Sequence, residues 1–290
     1  MDPLLIFIQG LNGLQLGVML FLMAAGLTLV FGVMNLINLA HGSLYMMGAY
    51  LAATIQQHTG SFLLAVLLAI PLTTLIGMLV EVVALRKLYR RDHLDQVLAT
   101  FALILFFNEL VRIIWGPQAY FMAVPGLLSG YVRILPGVTY PVFRLVIIGV
   151  GLAVALMLYF IISRTRLGML IRAGATNREM VGALGVNIKL LYTIVFGLGA
   201  ALAGLAGMMA GPILSVEVGM GESIIILTFV VIVIGGIGSI RGALIASMLV
   251  GVADTFGRVL LPPALASMVI YILMATVLYW RPQGLFPAHG

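Results

Sequence analysis

The chain has 290 residues, of which 63% are hydrophobic and 8% charged, and its mean hydropathy is +1.22. A soluble domain of that size and composition would expose very large apolar patches, and apolar runs about 20 residues long without alternation also exclude a transmembrane barrel. With no cysteine there is no disulfide and no thiol chemistry, and the net charge of +6 is accounted for by topology rather than by nucleic acid, as shown next.

The expected fold is all-α: a polytopic membrane protein of about 8–9 spanning helices, some broken or re-entrant, forming one domain over residues 1–290. The opening stretch MDPLLIFIQG carries no basic region ahead of its apolar part, so it does not read as a cleaved signal. Apolar runs place helices near 11–34, 43–58, 61–86, 95–115, 142–163, 190–212, 222–238, 242–260 and 264–280. Two short loops hold nine of the fifteen basic residues: Arg86, Lys87, Arg90 and Arg91 in one, then Arg164, Arg166, Arg172, Arg178 and Lys189 in the other. Both loops are therefore expected in the cytoplasm, which puts 116–141 and 211–222 outside, the N-terminus outside and the C-terminus inside.

Residues 27–44 and 227–244 resemble each other at an offset of 200, with Leu27 matching Leu227, Thr28 Thr228, Val30 Val230 and Gly42 Gly242. An internal repeat of this kind fits transporters in which broken helices of two related halves mark the pathway, and chance matching of apolar helices is the alternative. In the first of these regions Asn35, Asn38, His41 and Gly42 interrupt an apolar run, and positions 34, 38 and 41 have the spacing of one helix face. These four are candidate solute-pathway residues; the competing reading is that they cap a helix break.

The glycines Gly235, Gly236, Gly238 and Gly242 are expected to let backbones approach, since no strand precedes them as a nucleotide fingerprint requires. Arg241 is expected to reach the membrane interface. Small residues Gly197, Ala200, Gly204, Gly207 and Gly211 form one flank of a helix and predict tight packing, either within the chain or against a second subunit. Asp254 with Arg258, Glu109 with Arg112 and Glu81 with Arg86 are spaced to pair. No cluster of acidic residues and histidines suggests a metal, an intramembrane enzyme or a proton relay, and no G-x-x-x-x-G-K-[ST] string is present for nucleotide hydrolysis.

Residues 163–190 form a polar, basic interruption between two spans. The string Thr176-Asn-Arg-Glu179 has the form of a capping box, predicting a short helix closed by Gly185 in a left-handed conformation, with Met180, Val181 and Leu184 on one face.

Three segments then carry a family resemblance: GLTLVFGVMNLINLAHGSLYMMGAYLA at 26–52, RTRLGMLIRAGATNREMVGALGVN at 164–187 and GGIGSIRGALI at 235–245. In this order they resemble permease subunits of bacterial branched-chain amino-acid ABC importers, of the LivH type. The resemblance implies a multi-pass inner-membrane permease without enzymatic activity or bound cofactor. It also implies a second related permease, two cytoplasmic ATPases that hydrolyse the ATP, and a periplasmic binding protein. It makes 172–187 the coupling region held in an ATPase cleft, with Arg172, Thr176, Arg178, Glu179, Gly182, Ala183, Gly185 and Asn187 as its candidate residues. Relatives of this family also carry urea and short amides, and a secondary transporter or channel working without ATPases is the rival from another class.

Overall fold

The computed structural model describes residues 3–89 and 91–286, so Arg90 of the first basic loop lies outside the described residues. The helices in chain order are α1 (Pro3–Met34), α2 (His41–Thr59), α3 (Phe62–Val83), α4 (His93–Trp115), α5 (Val142–Arg164), α6 (Arg166–Thr176), α7 (Arg178–Ala183), α8 (Ile188–Ala210), α9 (Met220–Gly235), α10 (Ile240–Leu260), α11 (Pro263–Ala266) and α12 (Val269–Trp280). Seven helical stretches among the described residues are long and apolar enough to cross a membrane. The chain is an all-α, multi-pass membrane protein, and the run expected at 264–280 is interrupted between α11 and α12.

Hydrogen bonds sort the helix ends onto two faces. At one end Arg86 donates to Thr193 near the start of α8, and the backbone N–H groups of Leu285 and Phe286 donate to the carbonyls of Ile234 and Gly235 at the end of α9. At the other, Arg144 and Tyr140 both donate to Asn12 Oδ1, Gln56 donates to the Ala123 carbonyl, and Tyr120 pairs with Val216. The described basic residues of the two loops all belong to the first end, which the excess of Lys and Arg marks as cytoplasmic. The outer segment is more ordered than a loop. Tyr131–Leu135 and Val138–Pro141 form an antiparallel hairpin, β1 and β2, turned by Pro136 and by Gly137 at φ 87°.

The buried centre is α1, sandwiched between α8 and α10 and fully enclosed from Gly17 to Val30. No hydrophobic effect pulls helices together inside lipid, so close approach of small residues has to supply the packing. The flank of α8 does this within the chain. A Cβ on Gly204 would lie 2.8 Å from the Thr73 methyl, and one on Gly207 would collide with the Tyr45 carbonyl. The partners of the small-residue stripe are thus α2 and α3.

Two helices begin part-way across the bundle. His41, which opens α2, lies against Gly26, whose Cβ position is 2.9 Å from the imidazole Nε2 and 2.8 Å from the Gly199 carbonyl oxygen. Residue 199 is the midpoint of α8. Residues 35–40 therefore climb back from the cytoplasmic end of α1 without regular structure before α2 starts. Gly221, in the first turn of α9, is pressed against Gly42, so α9 starts at a similar depth and runs only inward. The breaks at 35–40 and 236–239 fall near the offset of 200 at which the sequence repeats, although only the first is re-entrant and the second turns at the cytoplasmic end of α9.

All three expected ion pairs form: Glu81–Arg86 at 2.9 Å, Glu109–Arg112 at 2.9 Å and Asp254–Arg258 at 2.8 Å. Glu81 is completely buried and also accepts from Tyr89 and Thr193, tying the cytoplasmic loop after α3 to α8. Burial and the bond to Glu81 hold the Tyr89 phenol well above its ordinary pKa, so it stays a donor. Arg241 turns to the ring of Tyr159 at 5.9 Å rather than to a carboxylate.

Because Gly207 has no room for a side chain, Gly207→Leu should separate α2 from α8. The expected cost is about 1–3 kcal/mol or more, read as a melting temperature lowered by several degrees in detergent-solubilised protein. Gly149, which has nothing near its Cβ position, is the control, and its alanine variant should melt close to wild type.

Candidate functional site

The four candidate pathway residues do not share a helix face. Asn35 ends α1 with φ 51°, a left-handed conformation that asparagine tolerates better than most residues, and the chain leaves the helix there. The capping reading of the break is correct to that extent, although the first residue of α2 receives no side-chain cap. Asn35 is exposed and lines a cavity of about 1260 Å³ bounded by α1, α5, α6, α7 and the break before α10. Asn38 and His41 are completely buried, and neither amide atom of Asn38 nor either ring nitrogen of His41 makes a hydrogen bond of ordinary geometry. Both line neither that cavity nor the cleft described next. Gly42 is a point of backbone contact with Gly221 and also borders a shallow cleft with Ser43, Asn108 and Glu222.

The sequence did not single out that cleft. Asn108 sits on α4 and Glu222 in the first turn of α9, and the amide Nδ2 donates to Glu222 Oε1 at 2.6 Å. The available signal was a carboxylate opening an apolar run, since an ionisable group at membrane depth is rare without a role.

The cytoplasmic segment is built differently from a single capped helix. Most of the basic stretch Arg164–Arg172 lies in α6 (Arg166–Thr176), whose start is capped by Thr165 accepting from the Gly168 N–H at 3.2 Å. Its apolar side packs inward: Ile171 is buried, and the Cβ position of Gly174 is 3.4 Å from Leu191 of α8 and 3.7 Å from Val33 of α1. Arg172 donates to the Ile162 carbonyl at the end of α5.

No capping box forms. Thr176 closes α6, its hydroxyl donating back to the Arg172 carbonyl at 3.0 Å, and Asn177 takes the cap by accepting from the Met180 N–H at 2.9 Å. The helix that follows, α7, is accordingly six residues long. Gly185 ends it as expected, at φ 89°, with the N–H groups of Gly185 and Val186 donating to the carbonyls of Gly182 and Val181 in a Schellman arrangement. Asn187 then caps α8 by accepting from the Leu190 N–H.

The face expected to be apolar is divided. Val181 is buried, whereas Met180 and Leu184 are 58% and 77% exposed. Arg178 and Glu179 are exposed and have no hydrogen-bond or ion-pair partner among the described residues. Glu179 is a free carboxylate, not a cap. Gly182 and Ala183 are exposed beside it, so α7 presents two charges of opposite sign and two apolar side chains on a helix fixed at both ends.

The same arrangement of a helical bundle with a projecting loop invites comparison with known proteins. Residues 10–278 match the family model described as branched-chain amino acid transport system / permease component. The chain belongs to this permease family. It is 33% identical to the high-affinity branched-chain amino acid transport system permease protein BraD of Pseudomonas aeruginosa, over 96% of this chain and 94% of that protein. It is 29% identical to LivH of Escherichia coli, over 98% of this chain and 96% of the relative, and 27% identical to LivM of Salmonella typhimurium, over 92% and 67%. No solved structure matches the chain. These relatives are named as transport permeases, which makes the permease a non-enzymatic membrane component of a multi-component transport system.

Because Asn177, and not Thr176, caps α7, Asn177→Ala should loosen that helix by about 1 kcal/mol, while Thr176→Ala leaves it nearly unchanged. Hydrogen exchange of the amides at 179–183 in the membrane-embedded permease should speed up by about fivefold in the first variant only.

Proposed function

We propose that this permease is the membrane subunit of an ATP-binding-cassette importer of the bacterial inner membrane, translocating branched-chain or related hydrophobic amino acids by alternating access. The observation that carries the reading is the family match over residues 10–278 together with α7, a short helix capped at both ends whose exposed Arg178 and Glu179 have no partner among the described residues and whose Met180 is exposed beside them. A surface of that kind suits the cleft of another protein, and the two cytoplasmic ATPases are its natural occupants. A second related permease completes the membrane unit, and a periplasmic binding protein delivers the solute to the outer hairpin side. The permease binds no cofactor and no metal of its own, and ATP is hydrolysed by the partners.

The geometry supports a simple transmission route. A push on α7 reaches α6 through the single residue Asn177, and from Gly174 of α6 it meets Val33 at the end of α1 and Leu191 at the start of α8. Both helices lead to the centre, where α2 begins against Gly26 and Gly199. Alternating access then follows if the ATPases and the binding protein prefer different arrangements of these helices, because only a difference in affinity for the two states can shift their populations. Of the candidate coupling residues, Arg178, Glu179, Gly182 and Ala183 would meet the ATPase, whereas Arg172, Thr176, Gly185 and Asn187 would hold the segment in shape. Asn35, on the wall of the large cytoplasmic cavity, would meet solute leaving the path, and Asn38, His41 and Gly42 would shape the break behind it.

Two measurements test the reading. The permease alone in liposomes should take up no leucine, and uptake should appear only with the second permease, the ATPases, ATP and the binding protein; uptake by the isolated chain would establish a channel or secondary transporter instead. Glu179→Lys and Gly182→Trp should each lower co-purification of the ATPases by about tenfold, equivalent to about 1.4 kcal/mol, with the permease still inserted. Unchanged co-purification and uptake would overturn the coupling role of α7.

A further inference from the structure

The large cavity at the cytoplasmic end of α1 also opens sideways. Helices α5 and α10 each pack against α1 but make little direct contact with each other, so a gap is left between them. Ala155, Tyr159 and Ile162 of α5 share one helix face along this gap, and Leu244 of α10 and Phe31 of α1 add to its apolar walls. None of these five is fully buried. Beside them Phe160 and Ile245 are 62% and 45% exposed, so the apolar surface continues onto the outer sides of both helices. From Ala155 to Ser163 the cavity follows α5 for roughly 12 Å. That is most of one leaflet, whose hydrocarbon is about 15 Å thick. The volume of about 1260 Å³ exceeds the roughly 300–1,000 Å³ of a small-ligand pocket.

The mouth of this groove is cationic. Arg241, at the start of α10, lies over the Tyr159 ring and has no hydrogen-bond or ion-pair partner among the described residues. Arg172 lines the cavity from α6, donates one N–H to the Ile162 carbonyl and keeps the rest of its fork of donors. Arg178 and Glu179 of α7 border the same cavity with opposite charges, and no other carboxylate lines it. Two guanidinium groups without a counter-charge thus stand at the cytoplasmic membrane surface, above an apolar groove. Cations placed there attract anionic headgroups, and a phosphate diester suits the arginine fork.

We propose that an anionic phospholipid of the inner leaflet occupies this groove, its phosphate held by Arg241 and Arg172 and an acyl chain lying along Ala155, Ile162 and Leu244. The lipid fills the lateral gap between α5 and α10, and the size of the cavity leaves space for solute passing Asn35. The site stands apart from the importer reading, because a channel or secondary transporter with this structure would hold the same lipid.

The chain has no cysteine, so Ser163→Cys puts a single thiol on the wall of the groove. In the full-length permease, delipidated in a maltoside detergent, dioleoyl phosphatidylglycerol should slow modification of this thiol by a maleimide. Dioleoyl phosphatidylcholine at the same concentration should not. Adding Arg241→Gln should raise the phosphatidylglycerol concentration needed for protection by about fivefold, the effect of one cation at a membrane surface, whereas Arg241→Lys should keep most of the protection. Equal protection by both lipids, or by neither, overturns the site; this comparison is made with both arginines intact, so it decides the matter even where Arg241→Gln fails to fold. Unchanged protection in a folded Arg241→Gln permease overturns it as well. Equal protection by glycerophosphoglycerol, which has the phosphate but no acyl chains, would assign the groove to a soluble anion instead, and protection by leucine alone would make it a solute passage only. The same labelling in the complete transporter tests the second permease as the occupant: a thiol already blocked there without added phosphatidylglycerol overturns the lipid.

Discussion

The constraint on which the structure depends is that a backbone inside a bilayer has no water to satisfy it. Helices meet this rule on their own, but this chain starts two helices, α2 and α9, at membrane depth, and each start strands N–H groups that must find protein. At the cytoplasmic end of α9 the chain beyond α12 returns, and its amides at Leu285 and Phe286 donate to the carbonyls of Ile234 and Gly235. At the starts of α2 and α9 the two backbones press on each other at Gly42 and Gly221, which screens both from lipid. The glycine content of the chain is best understood through these contacts, because any side chain there would hold the unsatisfied groups apart.

Much of this was legible in sequence because lipid imposes a length and a composition on each span. The expected helices at 95–115 and 142–163 differ from His93–Trp115 and Val142–Arg164 by no more than two residues, since Gly116 and Pro141 mark the ends chemically. The pairing of Asp254 with Arg258 followed from spacing alone. Local polar chemistry was harder. Asn35 takes a left-handed φ, so the helix stops at Met34, and no periodicity in 34, 38 and 41 survives. Thr176 and Asn177 compete for one cap, and the threonine hydroxyl is consumed by α6, a helix that a basic stretch with two glycines concealed. The outer hairpin was lost for a related reason: an all-α expectation left no strand for Tyr131–Leu135.

The candidate cleft lay beyond reach for a different reason. Asn108 and Glu222 are 114 positions apart, and nothing in either neighbourhood announces the other. Long-range placement of polar groups is decided by which helix backbones can touch, and those contacts depend on small residues scattered over α2, α8 and α9. The coupling segment, by contrast, is local, and its position was evident from charge and polarity even where its internal caps were not.

The buried Glu81 has a mechanical meaning beyond its ion pair. Because Arg86 and Glu81 each bond Thr193, and Tyr89 joins them, the foot of α8 and the foot of α3 are riveted into one plate beneath the membrane. Whatever displaces the start of α8 therefore displaces α3 in the same stroke. The Asn177 cap and the hydrogen-bonded turn at Gly185 hold α7 at both ends, so a pull at α7 is delivered as torque on a rigid slab and not dissipated in a chain of independent helices.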